Sequence, residues 1–158
     1  MIDGPTAVAA IEEAGFTHVV WIPDSFLGTW DAALANSRLV VIRPCREGEA
    51  IGIAAGLMLG GAKPLVAIQC TGFFEAGDAI RNVVHDLKLP LKVIVGVRSW
   101  QAMKAGKSAD NCPHFAEQLV GAWELATEWF EESSSTGAAA IMHRLAEADR
   151  ARVLLWGE

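Results

Sequence analysis

Basic residues are scarce in this sequence and form no cluster. The 158 residues include 13 Lys and Arg against 19 Asp and Glu, which gives a formal net charge of −6. Binding to nucleic acid needs clustered Lys and Arg to neutralise phosphates, so we expect no nucleic-acid partner. The hydrophobic fraction of 52% argues against disorder and supports one domain over residues 1–158.

Cysteines are few and lie far apart. Cys45, Cys70 and Cys112 are the three in the chain. An odd and widely spaced set fits neither a disulfide framework nor a zinc-binding pattern. We therefore expect three reduced thiols in a cytoplasmic protein.

Signals for export or membrane insertion are missing as well. The N-terminal "MIDGPTAVAAIEEAG" has no basic start, and acids interrupt its apolar positions, which is not typical of a signal peptide. The nearly uncharged stretch from Ala50 to Cys70 has about the length of a membrane span, but Lys63-Pro64 interrupts it. We interpret this stretch as a helix followed by a strand and expect no membrane partner.

Several common ligand-binding motifs are absent. No G-x-G-x-x-G follows a strand, and the sequence contains neither a P-loop nor a G-x-S-x-G nucleophile elbow. His85 has no His or Cys partner at metal-ligand spacing, so we assign no metal ligand to this chain. The informative features that remain are carboxylates, turns after strands and one long polar segment.

Strand-like and helix-like segments alternate along the chain. Strands that are apolar throughout are predicted at residues 17–22, 38–44, 64–70, 91–97 and 152–156, and "WELATEWF" at 123–130 is ambiguous. Helices are predicted at residues 5–14, 25–36, after Cys45, at 74–87 and at 137–149. Residues 98–114 and 131–137 are interpreted as loops. This alternation predicts an α/β fold, a three-layer α/β/α sandwich with a mainly parallel sheet of about six strands.

Polar and glycine-rich residues follow several of the predicted strands. In open parallel sheets, ligands bind at the carboxyl ends of the strands. Here those ends carry the sequences "PDS" at 23–25, "CREGE" at 45–49, "QCTG" at 69–72 and "RSW" at 98–100. We therefore expect the functional site at this edge of the sheet.

The order of these segments resembles a known family. The motifs "IPDSFL", "REGEAIGIAAGLMLGG", "IQCTGFFEAGDAI", "LPLKVIVGVRS" and "GKSADNCPH", in this order, resemble the pyrimidine-binding domain of thiamine-diphosphate enzymes. More narrowly, they look like those of the phosphonopyruvate and sulfopyruvate decarboxylases. The most specific part is the segment from Glu47 to Gly56, followed by the Q-x-[ST]-G turn. The resemblance implies a carboxy-lyase that removes carbon dioxide from a 2-oxo acid.

The diphosphate-binding half of such enzymes has no counterpart in this sequence. That half carries a G-D-G motif and a later Asn that binds magnesium, whereas "AGDA" at 76–79 lacks the second glycine. The resemblance therefore implies an alpha subunit that is inactive without a beta chain. The cofactor would be thiamine diphosphate, with Mg²⁺ bound by the partner chain, in a hetero-oligomer with two or more copies of each chain.

Glu47 matches the family's cofactor-activating glutamate. The resemblance implies that its carboxylate hydrogen-bonds the aminopyrimidine, favours the imino tautomer and so promotes formation of the thiazolium ylid. The alternative from the residues alone is an acid that stabilises a helix N-terminus. We keep that second interpretation for Glu49, in the first turn of the predicted helix.

The other candidate residues are also assigned through the resemblance. Cofactor contacts would come from Gln69, Thr71, Gly72 and Pro23, and the substrate would contact Asp24, Ser25, Gln69, Arg98 and Lys107. His114, at the end of the polar segment, and Ser25 join Glu47 as catalytic candidates, because His transfers protons near neutral pH. The competing interpretations are a helix cap for Ser25, with Asp24 as a further capping group, a strand-to-helix turn for residues 69–72, and solvated surface groups for Arg98, Lys107 and His114.

One departure from the family pattern bears on the substrate. Phe73, Phe74 and Glu75 replace a smaller turn, and bulky groups there would narrow the pocket or make it more apolar. The substrate is therefore either sulfopyruvate- or phosphonopyruvate-like or a more apolar 2-oxo acid. The alternatives are a carboligase or lyase subunit on the same cofactor, a non-catalytic binding subunit, and an unrelated flavodoxin-like binder that needs no thiamine diphosphate.

Overall fold

Six parallel strands form one sheet in the described part of the chain. A computed structural model describes residues 3–131 and 137–158. The strands lie in the order β2-β1-β3-β4-β6-β5, and every neighbouring pair is parallel. Their bounds are His18–Trp21, Val40–Ile42, Pro64–Gln69, Lys92–Val97, Ala126–Phe130 and Arg152–Gly157 for β1 to β6. The predicted fold class is confirmed, and the ambiguous segment 123–130 contains β5.

Helices cover both faces of the sheet. Eight α-helices lie within the described residues: α1 Gly4–Glu13, α2 Asp31–Ala35, α3 Glu47–Leu59, α4 Cys70–Glu75, α5 Gly77–Arg81, α6 Trp100–Lys104, α7 Cys112–Ala122 and α8 Ala138–Glu147. Residues of α1, α2 and α8 form one core with the sheet, and residues of α3, α4, α5 and α7 form the other. Because both faces are covered, β3 and β4 are buried along nearly their whole length, as their unbroken apolar sequences predict.

The segment after β3 differs from its prediction. Instead of one helix over 74–87, the chain forms α4, α5 and a π-helical turn at Asn82–Asp86. The interruption lies beside Trp123, whose ring occupies the space that a side chain on Gly77 would need, 2.5 Å from an added Cβ. The helix-forming sequence is thus broken by packing with a distant tryptophan.

The predicted polar loop 98–114 is helical over eight of its 17 residues. It contains α6, and α7 begins at Cys112 with Pro113 in its first turn. Asp110 supports this arrangement, because its carboxylate accepts hydrogen bonds from Cys112 N (3.0 Å) and Ser99 Oγ (3.0 Å). Of the other predicted loop, at 131–137, residues 132–136 lie outside the described part of the chain.

The apolar stretch after Cys45 divides as expected. Helix α3 ends at Leu59 and β3 begins at Pro64. Over residues 3–131 and 137–158, no helix combines the length and the hydrophobicity that crossing a bilayer requires.

The expectation of three free thiols is wrong. Cys70 and Cys112 form a disulfide between the first residues of α4 and α7, and Cys45 is the exposed free cysteine. Both bonded cysteines are buried, with 0% and 4% of their surface exposed. The two cysteines are 42 residues apart, so the sequence gives no sign that they pair. The fold brings them together because α4 and α7 are in contact at the same edge of the sheet.

The disulfide predicts how many thiols react after denaturation. We expect chain purified and denatured without reductant to show one titratable thiol, that of Cys45, and to show all three after reduction. A matched control is Cys112→Ser, in which two thiols should titrate without reductant. Three reactive thiols in unreduced wild-type chain would contradict the pairing.

Candidate functional site

Four segments meet at the carboxyl edge of the sheet. Residues 23–25 follow β1, Gln69–Gly72 join β3 to α4, Arg98 follows β4, and Glu47 opens α3. Strand pairing places Gln69 of β3 directly beside Gly96 of β4. The candidate site was predicted at this edge, and most of the candidate residues lie here.

Glu47 lies against Gly72. Glu47 is the first residue of α3 and is half-buried, and its side chain fills the space beside the backbone of Gly72. A Cβ added at position 72 would overlap the Oε1, Cδ and Cγ atoms of Glu47. Gly72 is therefore required for this placement of the carboxylate, because any larger residue would displace it.

Glu75 holds the two residues that flank Glu47. Its carboxylate accepts hydrogen bonds from the guanidinium of Arg46 and from the backbone N–H of Gly48, the latter at 3.3 Å. The bond from Arg46, with a smaller effect from Gly48, lowers the pKa of Glu75. The start of α3 is thus tied to the end of α4 on both sides of Glu47, an arrangement that sequence reasoning missed.

Glu49 has the helix-end role expected of it. Its Oε2 atom accepts a hydrogen bond from the backbone N–H of Cys45 at 3.0 Å. This contact satisfies one of the N–H groups near the start of α3, as acids in a first helical turn commonly do. The two acids of "REGE" thus have different environments: Glu49 bonds its own helix start, and Glu47 contacts α4.

Gln69 and Thr71 contact each other at the end of β3. The hydroxyl of Thr71 donates a hydrogen bond to Gln69 Oε1 at 2.9 Å. Gln69 is half-buried and Thr71 is exposed. Phe73 is fully buried and packs against the ring of Trp123 at a centroid distance of 5.1 Å. Phe73 therefore belongs to the core and does not narrow a pocket at this edge.

Asp24 shapes the turn after β1. Its Oδ1 atom accepts hydrogen bonds from the backbone N–H groups of Phe26 (2.8 Å) and Leu27 (2.7 Å). The predicted capping role of Asp24 is confirmed, although the helical segment begins later than expected, with a 3₁₀ turn at Leu27–Trp30. Pro23 and Ser25 are exposed on either side of Asp24.

The three remaining candidates are exposed or have partners other than Glu47. Arg98 forms an ion pair with Asp110 at 2.9 Å, and Lys107 is exposed in the turn after α6. His114 is exposed in the first turn of α7, near the amide of Gln118 at 3.3 Å, and not at the end of a loop. Among the described residues, no recorded contact joins any of these three side chains to Glu47.

The structure adds one acid to this edge that sequence reasoning missed. Glu158 directly follows β6, and its carboxyl group lies above Gly96 together with that of Asp24. The rule that led to the other candidates, polar residues immediately after a strand, also applies to Glu158.

The sequence and the fold of this chain were compared with those of known proteins. No family model matches the chain. It is 31% identical over 70 residues to sulfopyruvate decarboxylase of Methanosarcina acetivorans, which covers 44% of this chain and 17% of that protein. It is 25% identical over 122 residues to phosphonopyruvate decarboxylase of Streptomyces viridochromogenes, which covers 77% of this chain and 30% of that protein.

Solved structures agree on the fold. The chain superposes on thiamine diphosphate-dependent 4-hydroxybenzoylformate decarboxylase of Rhodococcus jostii RHA1 with a TM-score of 0.70 and 16% identity, over 99% of this chain and 30% of that one. Benzoylformate decarboxylase of Polynucleobacter necessarius gives 0.76 and 17%, over 99% and 30%. An inactive beta4 tetramer of a split-gene transketolase gives 0.68 and 20%, over 98% and 50%.

The chain thus has the fold found in thiamine-diphosphate enzymes. Its sequence is similar to those of a sulfopyruvate decarboxylase and a phosphonopyruvate decarboxylase, so the predicted resemblance is confirmed. The matches span less than a third of the two curated relatives, 17% and 30% of their lengths.

Asp110 gives the site region a testable dependence on pH. The hydrogen bond from Cys112 N–H, with smaller effects from Ser99 and Arg98, lowers the pKa of Asp110 from its ordinary value of 3.8. A lowered pKa in the folded state stabilises the fold above the unfolded-state pKa and ceases to do so as the pH falls through the folded-state pKa. We expect Asp110→Asn to lower the free energy of unfolding by roughly 1–2 kcal/mol at pH 7, with the difference shrinking below about pH 4.

Urea unfolding of both chains between pH 3 and pH 8 measures this effect. Glu117→Gln, on the exposed surface of α7, is the matched control and should follow the wild type. A difference between Asp110→Asn and the wild type that stays constant down to pH 3 would contradict the role given to the Asp110 charge.

Proposed function

We propose that this chain is the pyrimidine-binding alpha subunit of a thiamine-diphosphate-dependent decarboxylase that removes carbon dioxide from a 2-oxo acid. The observation that carries the proposal is the contact of Glu47 with Gly72 at the carboxyl edge of the sheet. The sequence similarity to two decarboxylases and the shared fold support it.

The residues around Glu47 suit a pyrimidine ring. A half-buried carboxylate at a helix start can accept a hydrogen bond from a protonated ring nitrogen, and Gly72 leaves the backbone of the facing turn without a side chain. Gln69 and Thr71 offer polar groups at the same turn, and exposed Pro23 supplies an apolar surface. When bound, thiamine diphosphate supplies the electron sink for loss of carbon dioxide. In our proposal Glu47 accepts the ring's hydrogen bond and selects its reactive tautomer, and Mg²⁺ is held by the partner chain.

In this proposal the substrate carboxylate binds at the turn after β1. Ser25 is exposed there and Asp24 orders the backbone beneath it, so the Ser25 hydroxyl is available to a carboxylate. Gln69 lies at the neighbouring strand end. We assign His114 to proton transfer.

The charge of Arg98 bears on which 2-oxo acid is bound. A sulfonate or phosphonate tail needs a cation, but the guanidinium of Arg98 is already bound to Asp110 at 2.9 Å. Lys107 is exposed and remains the other candidate for such a tail. Between the two substrate types expected from the sequence, the pairing of Arg98 favours the 2-oxo acid with a less charged tail.

A second chain completes the proposed enzyme. We propose that a beta subunit carries the G-D-G motif in a hetero-oligomer, as the family resemblance implies; this chain matches 17% and 30% of the two decarboxylases. The split-gene transketolase offers a structural parallel for a divided enzyme. We keep the cytoplasm as the proposed location, although the disulfide removes the argument that rested on free thiols.

Replacing the Glu47 carboxylate tests the proposal directly. In the complex with its beta chain, we expect Glu47→Gln to lower kcat at least about 100-fold, because an amide cannot support the proton shift on the ring. Release of carbon dioxide from a panel of 2-oxo acids, with thiamine diphosphate and magnesium, is the measurement. Glu49→Gln is the matched control and should keep wild-type turnover, since its amide oxygen can still bond Cys45. Near-normal turnover of Glu47→Gln would contradict the catalytic role assigned to Glu47.

A substitution at Gly72 tests the position of the Glu47 carboxylate without replacing Glu47 itself. We expect Gly72→Ala to lower kcat roughly 10- to 100-fold, because the new methyl group displaces the carboxylate from its position. The midpoint of thermal unfolding should change little, since the displaced atoms belong to a flexible side chain. Gly121→Ala, on the exposed surface of α7 with open space around it, is the control for adding a methyl group to a helix. Unchanged turnover in Gly72→Ala would show that the placement of Glu47 is unimportant.

A further inference from the structure

Two carboxyl groups lie together at the carboxyl edge of the sheet, on the face covered by α1, α2 and α8. Asp24 follows β1 and Glu158 follows β6, and each has one oxygen that is buried without a hydrogen-bond partner among the described residues, Oδ2 and Oε1 respectively. Gly96 of β4 provides the space for both: an added Cβ would touch Glu158 Oε1 and would lie 3.4 Å from Asp24 Oδ2. The two unpartnered oxygens thus converge on one small buried volume.

The backbone holds Glu158 firmly at this position. Its N–H donates to the carbonyl of Val97 at 3.1 Å, and its carbonyl accepts from the N–H of Gln101 at 2.8 Å. The side chain is therefore kept over Gly96 by the pairing of β6 with β4 and by the start of α6. Asp24 and Glu158 are close to each other because β1 and β6, the strands that they follow, belong to the same sheet.

Two unpartnered carboxylates cannot both remain ionised in such a place. Burial disfavours each charge, and the two negative charges repel each other. The other oxygen of Asp24 already accepts two backbone N–H groups, at 2.8 and 2.7 Å, whereas the side chain of Glu158 has no such bonds. The proton therefore belongs on Glu158, whose hydroxyl can donate to Asp24 Oδ2.

Among the described residues, no cation bonds the buried oxygen of Asp24 or that of Glu158. Asp24 is the titratable group that faces Glu158 from the turn after β1, and burial, then Asp24, raises the pKa of Glu158 to about 8. The other charged groups at this end of β4, α6 and β5 are bound in pairs, at 2.9 and 2.7 Å: Arg98 with Asp110, and Lys104 with Glu131.

We propose that Asp24 and Glu158 share one proton near neutral pH, and that Glu158 is a positioning residue that holds Asp24 and, through it, the turn that presents Ser25. The proton sharing is a property of this chain alone. Its consequence for catalysis rests on the proposed function, because it concerns the turn that we assign to the substrate carboxylate.

The shared proton can be observed directly by ¹³C NMR of chain labelled at the glutamate carboxyl carbons. We expect one glutamate carboxyl to remain protonated at pH 7 and to titrate above it, and this signal to be absent in Glu158→Gln. In Asp24→Asn the same signal should titrate at lower pH, because the repulsion is gone. A wild-type spectrum in which every glutamate is ionised by pH 6 would overturn the proposal.

Stability provides a second readout. A carboxyl whose pKa is raised in the folded state stabilises the fold fully below the unfolded-state pKa, near 4.5, and this contribution is lost as the pH rises to about 8. We expect the free energy of unfolding to fall over this window in the wild type and to fall less steeply in Glu158→Gln, whose amide donates to Asp24 without titrating. Glu13→Gln, exposed on α1, is the control and should keep the wild-type slope. Equal slopes in all three chains would contradict the proposal.

Kinetics of the complex with the beta chain test the positioning role. We expect Glu158→Ala to raise KM for the 2-oxo acid roughly 10-fold or more, through a misplaced Ser25 turn, and Glu158→Gln to restore it. Equal KM values in the wild type and Glu158→Ala would remove the positioning role. A complex that releases no carbon dioxide, even with wild-type chain, would contradict the proposed function, while the NMR titration would still decide the shared proton.

Discussion

The parallel alignment of the strands is the constraint on which the rest of this structure depends. Because all six strands run in one direction, the residues that follow β1, β3, β4 and β6 meet at one edge although they are distant in the chain. The same alignment requires both faces of the sheet to be covered, which explains the buried strands and the two cores. The polar residues of an otherwise apolar chain are thereby collected where a ligand can reach them.

Glycines at this edge determine how closely its side chains approach the backbone. Glu47 lies over Gly72, Glu158 lies over Gly96, and the ring of Trp100 lies over Gly157, with Nε1 3.0 Å from an added Cβ. In each case, a side chain from a different element occupies the space that a Cβ would need. The three glycines thus connect α3 with α4, β6 with β4, and α6 with β6. They provide close tertiary contacts and not loop flexibility.

At the carboxyl edge of the sheet, some acids of the described residues form ion pairs with cations and others do not. Glu75 binds Arg46 and Asp110 binds Arg98, so these two cations are already engaged. Glu47 forms no ion pair among the described residues, and one oxygen each of Asp24 and Glu158 is buried near Gly96 without a hydrogen-bond partner there. In the proposed enzyme, these acids would serve proton transfer and hydrogen bonding to a ring nitrogen.

The sequence by itself determined the fold class and the edge at which the site lies. Unbroken apolar strands alternating with helices allow few architectures, and the segment from Glu47 to Gly56 with the turn at Gln69–Gly72 carries the family resemblance. Local bonding roles, such as that of Asp24 after β1 and Glu49 in the first turn of α3, were also readable, because they depend on neighbouring residues.

Only the tertiary structure decided which distant residues touch. The disulfide of Cys70 with Cys112, the break beside Trp123, the bond from Arg46 to Glu75 and the pair of Asp24 with Glu158 join residues that are separated by 29 to 134 positions. Local sequence patterns report the period of a helix or a strand, and they carry no information on contacts across the sheet. Those contacts depend on strand order and on the spaces left by glycines, and these are properties of the folded chain.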